Sequence, residues 1–310
     1  MSRGRRRPHK PTVPRSERRS APPTDLPEYL RRLGVPPRRA LGQHFLIDEF
    51  ILARIADACA FTPGETALEI GAGPGGLTEE LLTRAERVVA VELDEELAAL
   101  TRERLIAYDQ LTVLAADVLD FTPLELLAEA GAAAPYVAVG NVPYYITQPI
   151  IRRLLESDPA PERIIVMVQR EVARRIVGGD GQESLLSMSV KCYGEPRALF
   201  DVSADAFWPP PKVQSAVIAI DRRVRPAVDL AGDDLLTFFE LLRAGFSAPR
   251  KQLHNALPGA LGLSDAEITA TLESVALDPA LRAQHLRLSD WERLFHALSA
   301  RHPDALHVHA

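Results

Sequence analysis

The chain has 310 residues, with 36 Lys+Arg against 42 Asp+Glu, a formal net charge of −6, and 46% hydrophobic residues. That length suits a sizeable core in roughly two domains, and the composition is ordinary for a globular enzyme. Two cysteines, Cys59 and Cys192, give no disulfide framework or CxxC metal pair, the eight histidines show no metal-ligand spacing, and no apolar run approaches the ~18–20 residues of a membrane span.

Residues 1–25 read as a disordered basic arm. Residues 1–39 hold 12 Lys+Arg against 3 Asp+Glu, a balance of +9, which leaves −15 on the remainder. Such an arm on an acidic body fits either a polyanionic partner or a solubilising tail, and the sequence leaves both open. The arm lacks the apolar core of a secretory signal, and its prolines argue against an amphipathic transit helix, so a cytoplasmic protein is expected. A short helix is expected at "LPEYLRRLGV" (26–35), and a second at 49–60, where Phe50, Ile51, Ile55 and Ala58 recur at helical spacing.

Strand-like and helix-like segments then alternate. "TALEI" (66–70) precedes a helix at 77–84, and "RVVAVE" (87–92) precedes one at 95–107. "LTVLAAD" (111–117), "YVAVG" (136–140), a helix near 148–156 and "RIIVMVQ" (163–169) follow. This order predicts a doubly wound α/β sheet with parallel strands, closed by an antiparallel pair from "ALFDVS" and "SAVIAI". Beyond "RRVRPAVDLAGDD", which reads as a linker, the pattern is helical. The expected units are 26–225 for the α/β domain, 230–300 for a small all-helical domain, and 301–310 for a frayed tail.

"LEIGAGPGGLTEEL" joins the first strand to its helix. Gly71, Gly73 and Gly76 fit the dinucleotide pattern G-x-G-x-x-G, and Glu92 lies 21 residues beyond Gly71, as an acid bonding a ribose would. The same loop also reads E-x-G-x-G-x-G from Glu69, and a third strand ends in Asp117. S-adenosylmethionine has an ammonium, a sulfonium, a ribose diol and an adenine, so its site needs carboxylates on several strand ends. Glu92 then accepts from the ribose hydroxyls and Asp117 from the adenine amine, while Gly71 and Gly73 admit the methionine portion. A helix cap or solvated loop is the commoner role for any one of these acids alone; three in strand order point to the cofactor.

"LGQHFLID", "EIGAGPGGLT", "VVAVELD", "AADVLDF", "GNVPYYIT", "MVQREVARRI" and "FWPPPKVQSAV" occur in order. Together, over about residues 38–257, they resemble the rRNA adenine-N6 dimethyltransferases of the KsgA/Erm family. "PPPKVQSAV" and "FSAPRKQLHNAL" resemble the KsgA branch, which acts on small-subunit rRNA. The resemblance implies a Rossmann-like S-adenosylmethionine methyltransferase domain with an RNA-facing helical domain. It implies that His44 and Leu46 lie against the cofactor beside Gly71, Glu92, Asp117 and Asn141. The family more often has Asn at the place of His44 and Leu at that of Val142.

The exocyclic amine of adenine is a poor nucleophile. In "GNVPYYITQP", the side chain of Asn141 and a backbone carbonyl near Pro143 are expected to accept its two N–H bonds and aim its lone pair, with Pro143 fixing the backbone. Tyr144 is expected to stack on the extruded base and Phe207 to form the opposite wall. Tyr145 and Trp208 are expected in ordinary structural roles, Tyr145 by core burial. The expected activity is N6-dimethylation of adjacent adenosines in 16S rRNA of the assembling small subunit, by a monomer without a metal. The alternatives are an Erm-type enzyme on 23S rRNA, conferring macrolide resistance, and a ribosome-assembly factor that has lost the chemistry.

Overall fold

The computed structural model describes residues 37–38, 42–178 and 182–306. The basic arm, the helix expected at 26–35 and the last four residues of the tail lie outside them. From the N-terminal side the elements are β1 (Phe45–Leu46), α1 (Glu49–Ala58), β2 (Thr66–Ile70), α2 (Gly76–Leu82) and β3 (Arg87–Glu92). Then come α3 (Glu95–Arg104), β4 (Leu111–Ala115), α4 (Pro123–Glu129), β5 (Tyr136–Gly140) and α5 (Thr147–Leu155). β6 (Arg163–Gln169), α6 (Arg170–Val177), α7 (Leu185–Tyr193), β7 (Gly194–Val202), β8 (Phe207–Trp208) and β9 (Ser215–Arg222) complete the sheet region. Five helices follow: α8 (Gly232–Phe246), α9 (Leu253–Ala256), α10 (Pro258–Leu261), α11 (Asp265–Ser274) and α12 (Leu288–Arg301).

Seven strands form one sheet in the order β4-β3-β2-β5-β6-β9-β7. The first five are parallel, and β9 runs antiparallel between β6 and β7, as the closing pair predicted. Helices cover both faces, which is why the central strands are almost continuously apolar. Leu68, Ile70, Val89, Val91 and Ala138 pack on one face with α4, α5 and α6. Ala67, Val88, Val137, Val139 and Ile165 pack on the other with α1 and α2.

Local chemistry starts the helices where they begin. Asp48 accepts from the Ile51 N–H at the start of α1, and Thr122 and Glu125 form a capping box around Pro123 at the start of α4. Helix α4 was not anticipated; it has seven residues, and "TPLE" was its only signal. The short α6 and α7 were likewise not anticipated.

The C-terminal helices enclose their own apolar cluster, centred on Phe238, Leu242, Leu272, Trp291 and Leu298. Helix α7 serves two cores. Met188 and Cys192 enter the helical cluster, while Val190 enters the sheet cluster, with Leu186 packed against it. Past α12, Pro303–Leu306 form a 3-10 turn and Leu306 is buried in the helical cluster, so ordered packing continues into the expected tail.

Candidate active site

Strand order reverses beside β2, which has β3 on one flank and β5 on the other. Helices connecting to these flanks leave from opposite faces, so a crevice opens outside the carboxyl ends of the strands. Here it is a cleft of about 1090 Å³ including its open mouth. His44, Leu46, Gly71, Gly73, Glu92, Asp117, Asn141, Pro143 and Tyr144 all line it.

The glycine loop forms its floor. Gly71, Gly73 and Gly75 take φ of +80°, +53° and +84°, the left-handed region that favours glycine. A Cβ on Gly71 would lie 3.3 Å from the Asn141 carbonyl oxygen, so its absence lets two strand ends meet. The Gly71 N–H donates to the Val91 carbonyl at 2.8 Å. Helix α3 braces the loop from outside, with the Thr101 hydroxyl donating to the Gly73 carbonyl at 2.8 Å and the Arg104 guanidinium to that of Gly75 at 2.5 Å.

Glu92 is 7% exposed, and its carboxylate oxygens accept from the Gly73 N–H at 2.8 Å and the Asp94 N–H at 2.9 Å. Burial raises its pKa, and these backbone donors oppose the rise. Each oxygen keeps a lone pair beyond those bonds, so the side chain orders the loop and can still accept from a ligand. Asp117, half-buried, accepts from the Leu119 N–H at 2.9 Å. Glu69 goes elsewhere. It is fully buried on the opposite side of the loop, accepts from the Thr78 hydroxyl at 2.6 Å, and does not line the cleft. Among the described residues its other oxygen has no partner, and burial pushes its pKa up to about 7.

The wall over the floor comes from the segment before α1. Strand β1 pairs with β8, placing Phe45 opposite Trp208 and Leu46 opposite Phe207. His44 Nδ1 donates to the Pro209 carbonyl at 2.6 Å, so its ring ties the segment to the proline-rich loop. The His44 carbonyl accepts from Asn141 Nδ2 at 3.4 Å. Just upstream, Arg38 pairs with Asp94 at 3.2 Å and Glu96 at 3.1 Å, and its N–H donates to Gln43 Oε1 at 2.7 Å. No spacing in the sequence announced this clasp or the bracing by Thr101 and Arg104, since each joins residues far apart in the chain.

Because a carbonyl can only accept, the contact to His44 fixes which end of the Asn141 amide is nitrogen. Among the described residues no donor reaches Asn141 Oδ1 or the Val142 carbonyl. The Pro143 carbonyl is already engaged, accepting from the Ile146 N–H at 3.1 Å and the Thr147 hydroxyl at 3.4 Å. The backbone acceptor available near Pro143 is therefore that of Val142. The Tyr144 hydroxyl bonds Ser215 Oγ at 2.6 Å, and burial raises its pKa, keeping the phenol protonated.

Two expectations need correction. Phe207 is 2% exposed and does not line the cleft; its side chain is taken up by the apolar cluster that its strand partner Leu46 shares with α1 and α2. Tyr145 is not a core residue. It is 65% exposed and lines the cleft mouth. Trp208 is half-buried, its ring 6.4 Å from that of Phe45.

The family described as Ribosomal RNA adenine dimethylase matches residues 36–299. Ribosomal RNA small subunit methyltransferase A of Dehalococcoides mccartyi is 41% identical over 257 residues, 83% of this chain and 87% of the relative. The protein of the same name from Moorella thermoacetica is 37% identical over 276 residues, 87% of this chain and 95% of the relative. Among solved structures, the 23S rRNA methyltransferase ErmE is similar with a TM-score of 0.66 and 30% identity, covering 82% of this chain and 99% of that one. A dimethyladenosine transferase from Plasmodium falciparum gives 0.70 and 25%, covering 83% and 98%.

Proposed function

This chain belongs to the ribosomal RNA adenine dimethylase family, and from that premise we propose that it dimethylates N6 of adjacent adenosines in small-subunit rRNA during ribosome assembly. The observation that carries the chemistry is the pair of unclaimed acceptors, Asn141 Oδ1 and the Val142 carbonyl, on the cleft beside Tyr144. They match the two N–H bonds of an adenine amine. Accepting both draws the nitrogen lone pair out of the ring, and because the acceptors are fixed beforehand no reorganisation is needed at reaction. After one methyl has been added, a single N–H remains and one acceptor suffices to hold it.

The residues of the cleft fit S-adenosylmethionine. Gly71 and Gly73 leave room that a Cβ would fill, Glu92 keeps lone pairs for the ribose hydroxyls, and Asp117, which lines the same cleft, would accept from the adenine amine. When bound, this cofactor supplies a methyl group made electrophilic by its sulfonium. His44 would contribute mainly through its backbone, since its ring is engaged by Pro209. Tyr144, tethered by Ser215, offers its ring to the extruded base. Catalysis here rests on positioning rather than on a strong base.

The choice of small-subunit rRNA is supported by 41% identity to proteins named for that subunit, against 30% to ErmE. The reading includes a monomer acting in the cytoplasm. Among the described residues no helix is long and apolar enough to cross a membrane. The test incubates the protein with labelled S-adenosylmethionine and, separately, undermethylated small subunits, large subunits and naked rRNA, then maps the label. Two neighbouring adenosines labelled in small subunits is the expected result. Label in large subunits would favour the Erm-type alternative. Label in none would leave an assembly factor without the chemistry.

A further inference from the structure

Tyr145 follows Tyr144 directly and lines the same cleft, yet 65% of it is exposed. Its ring lies beside the bare backbone of Gly42. A Cβ on Gly42 would lie 3.7 Å from Tyr145 Cε1, 3.9 Å from Cδ1 and 3.6 Å from the Pro143 side chain. Gly42, at φ +66°, has no side chain there, so room of about one methyl group separates its backbone from the ring, which lies between the segment carrying His44 and the turn carrying Asn141. The result is an aromatic surface at the mouth of the cleft, facing water.

Extruding a base for chemistry breaks its stacks and uncovers the face of its neighbour on the strand. An uncovered base finds its best replacement partner in an aromatic ring, and such stacking is tolerant of base identity. We propose that Tyr145 is the stacking platform for the nucleobase adjoining the target adenosine, so that the two consecutive tyrosines hold two consecutive bases. The proposal rests on the adenosine-methylating reading above. Under that reading the adjoining base is the second target, held at the mouth while the first occupies the cleft. Tyr145 is then a substrate-positioning residue that acts on RNA and leaves cofactor binding alone.

The test uses the full chain, Tyr145→Ala and Tyr145→Phe, with undermethylated small subunits and with subunits reconstituted to carry an abasic residue beside the target adenosine. Tyr145→Ala is expected to lower kcat/KM for the intact target by about 5- to 150-fold, chiefly through KM, the range for one lost base–aromatic stack. Tyr145→Phe should restore it, and calorimetric affinity for S-adenosylmethionine should match the parent in both variants. The abasic residue should cost the parent a similar factor and cost Tyr145→Ala little more, because the same contact is already gone. Parent-like kcat/KM in Tyr145→Ala would overturn the proposal, as would an undiminished abasic penalty in that variant. Failure of Tyr145→Phe to rescue would mean that the hydroxyl acts, and weakened cofactor binding that the ring is a cofactor wall; either result overturns it. If the parent labels no subunit, the adenosine reading falls and takes this proposal with it.

Discussion

Removing the Tyr144 hydroxyl separates two roles that the ring alone would confuse. Tyr144→Phe keeps the stacking face but leaves the hydroxyl of the fully buried Ser215 without its partner, at a cost of about 1–3 kcal/mol. We expect thermal unfolding of this variant to occur at lower temperature, with RNA affinity largely kept. Tyr144→Ala should also lose about 1–3 kcal/mol of RNA binding. Equal loss of RNA affinity in both variants would sink the stacking role. Asn141→Ala removes Oδ1 and should lower single-turnover methylation by at least about a hundredfold, with only a modest effect on S-adenosylmethionine binding. Glu92→Ala should weaken that binding by about 1.5–3 kcal/mol by calorimetry. Since Glu92 also holds the Gly73 and Asp94 amides, Glu92→Gln, which keeps one acceptor, should lose less. Unchanged affinity in Glu92→Ala would remove Glu92 from the site.

At the scale of elements, β2 carries a pH dependence into the sheet. Glu69 is buried there with one hydrogen-bond donor, and desolvation lifts its pKa from 4.5 to about 7. Below pH ~4.5 the group is protonated whether the chain is folded or not, and its contribution to stability is fully present. As pH rises from there to about 7 the unfolded chain ionises first, so up to about 3 kcal/mol is lost across that window and none beyond. Glu69→Gln cannot titrate. Its stability relative to the parent, from urea unfolding between pH 4.5 and 8, should therefore increase over this range; a constant difference would show that Glu69 does not carry the shift. The strands themselves were legible. β2, β3, β5 and β6 have the bounds expected from sequence, because a strand covered on both faces is an apolar run ending abruptly in polar or glycine residues. The cleft residues of the glycine loop and of Asn141–Tyr144 were legible from spacing and resemblance. The fates of Phe207 and Tyr145 were not. Phe207 is buried in the cluster it shares with its strand partner Leu46, and Tyr145 lies at the surface beside Gly42. Both depend on chain segments roughly a hundred or more residues away, which leave no local period.

For the whole molecule, the unequal distribution of charge predicts how RNA binding responds to salt. Residues 1–39 hold a third of the Lys+Arg of a chain whose remainder is net acidic. Binding to RNA releases counterions, with a slope of roughly −0.7 to −0.9 in log affinity per phosphate contacted. We expect deletion of residues 1–37 to weaken small-subunit binding and flatten its salt dependence, with little change in methylation at saturating subunit. Arg38 is kept because it clasps Asp94 and Glu96 beside the cleft. Parallel salt-dependence lines for the two proteins would show that the arm touches no phosphate. A different kind of consequence follows from α7, whose two sides belong to different cores. In a gene shuffled between relatives, the linker before α8 looks like the natural crossover point, but Met188 and Cys192 are encoded upstream of it and packed downstream of it. A crossover there would set one lineage's α7 against another's α8 and α12 in a buried apolar layer, where overpacking costs about 1–3 kcal/mol. Inheritance of the helical unit therefore carries a passenger, the outer side of α7, and viable hybrids should break before Leu185.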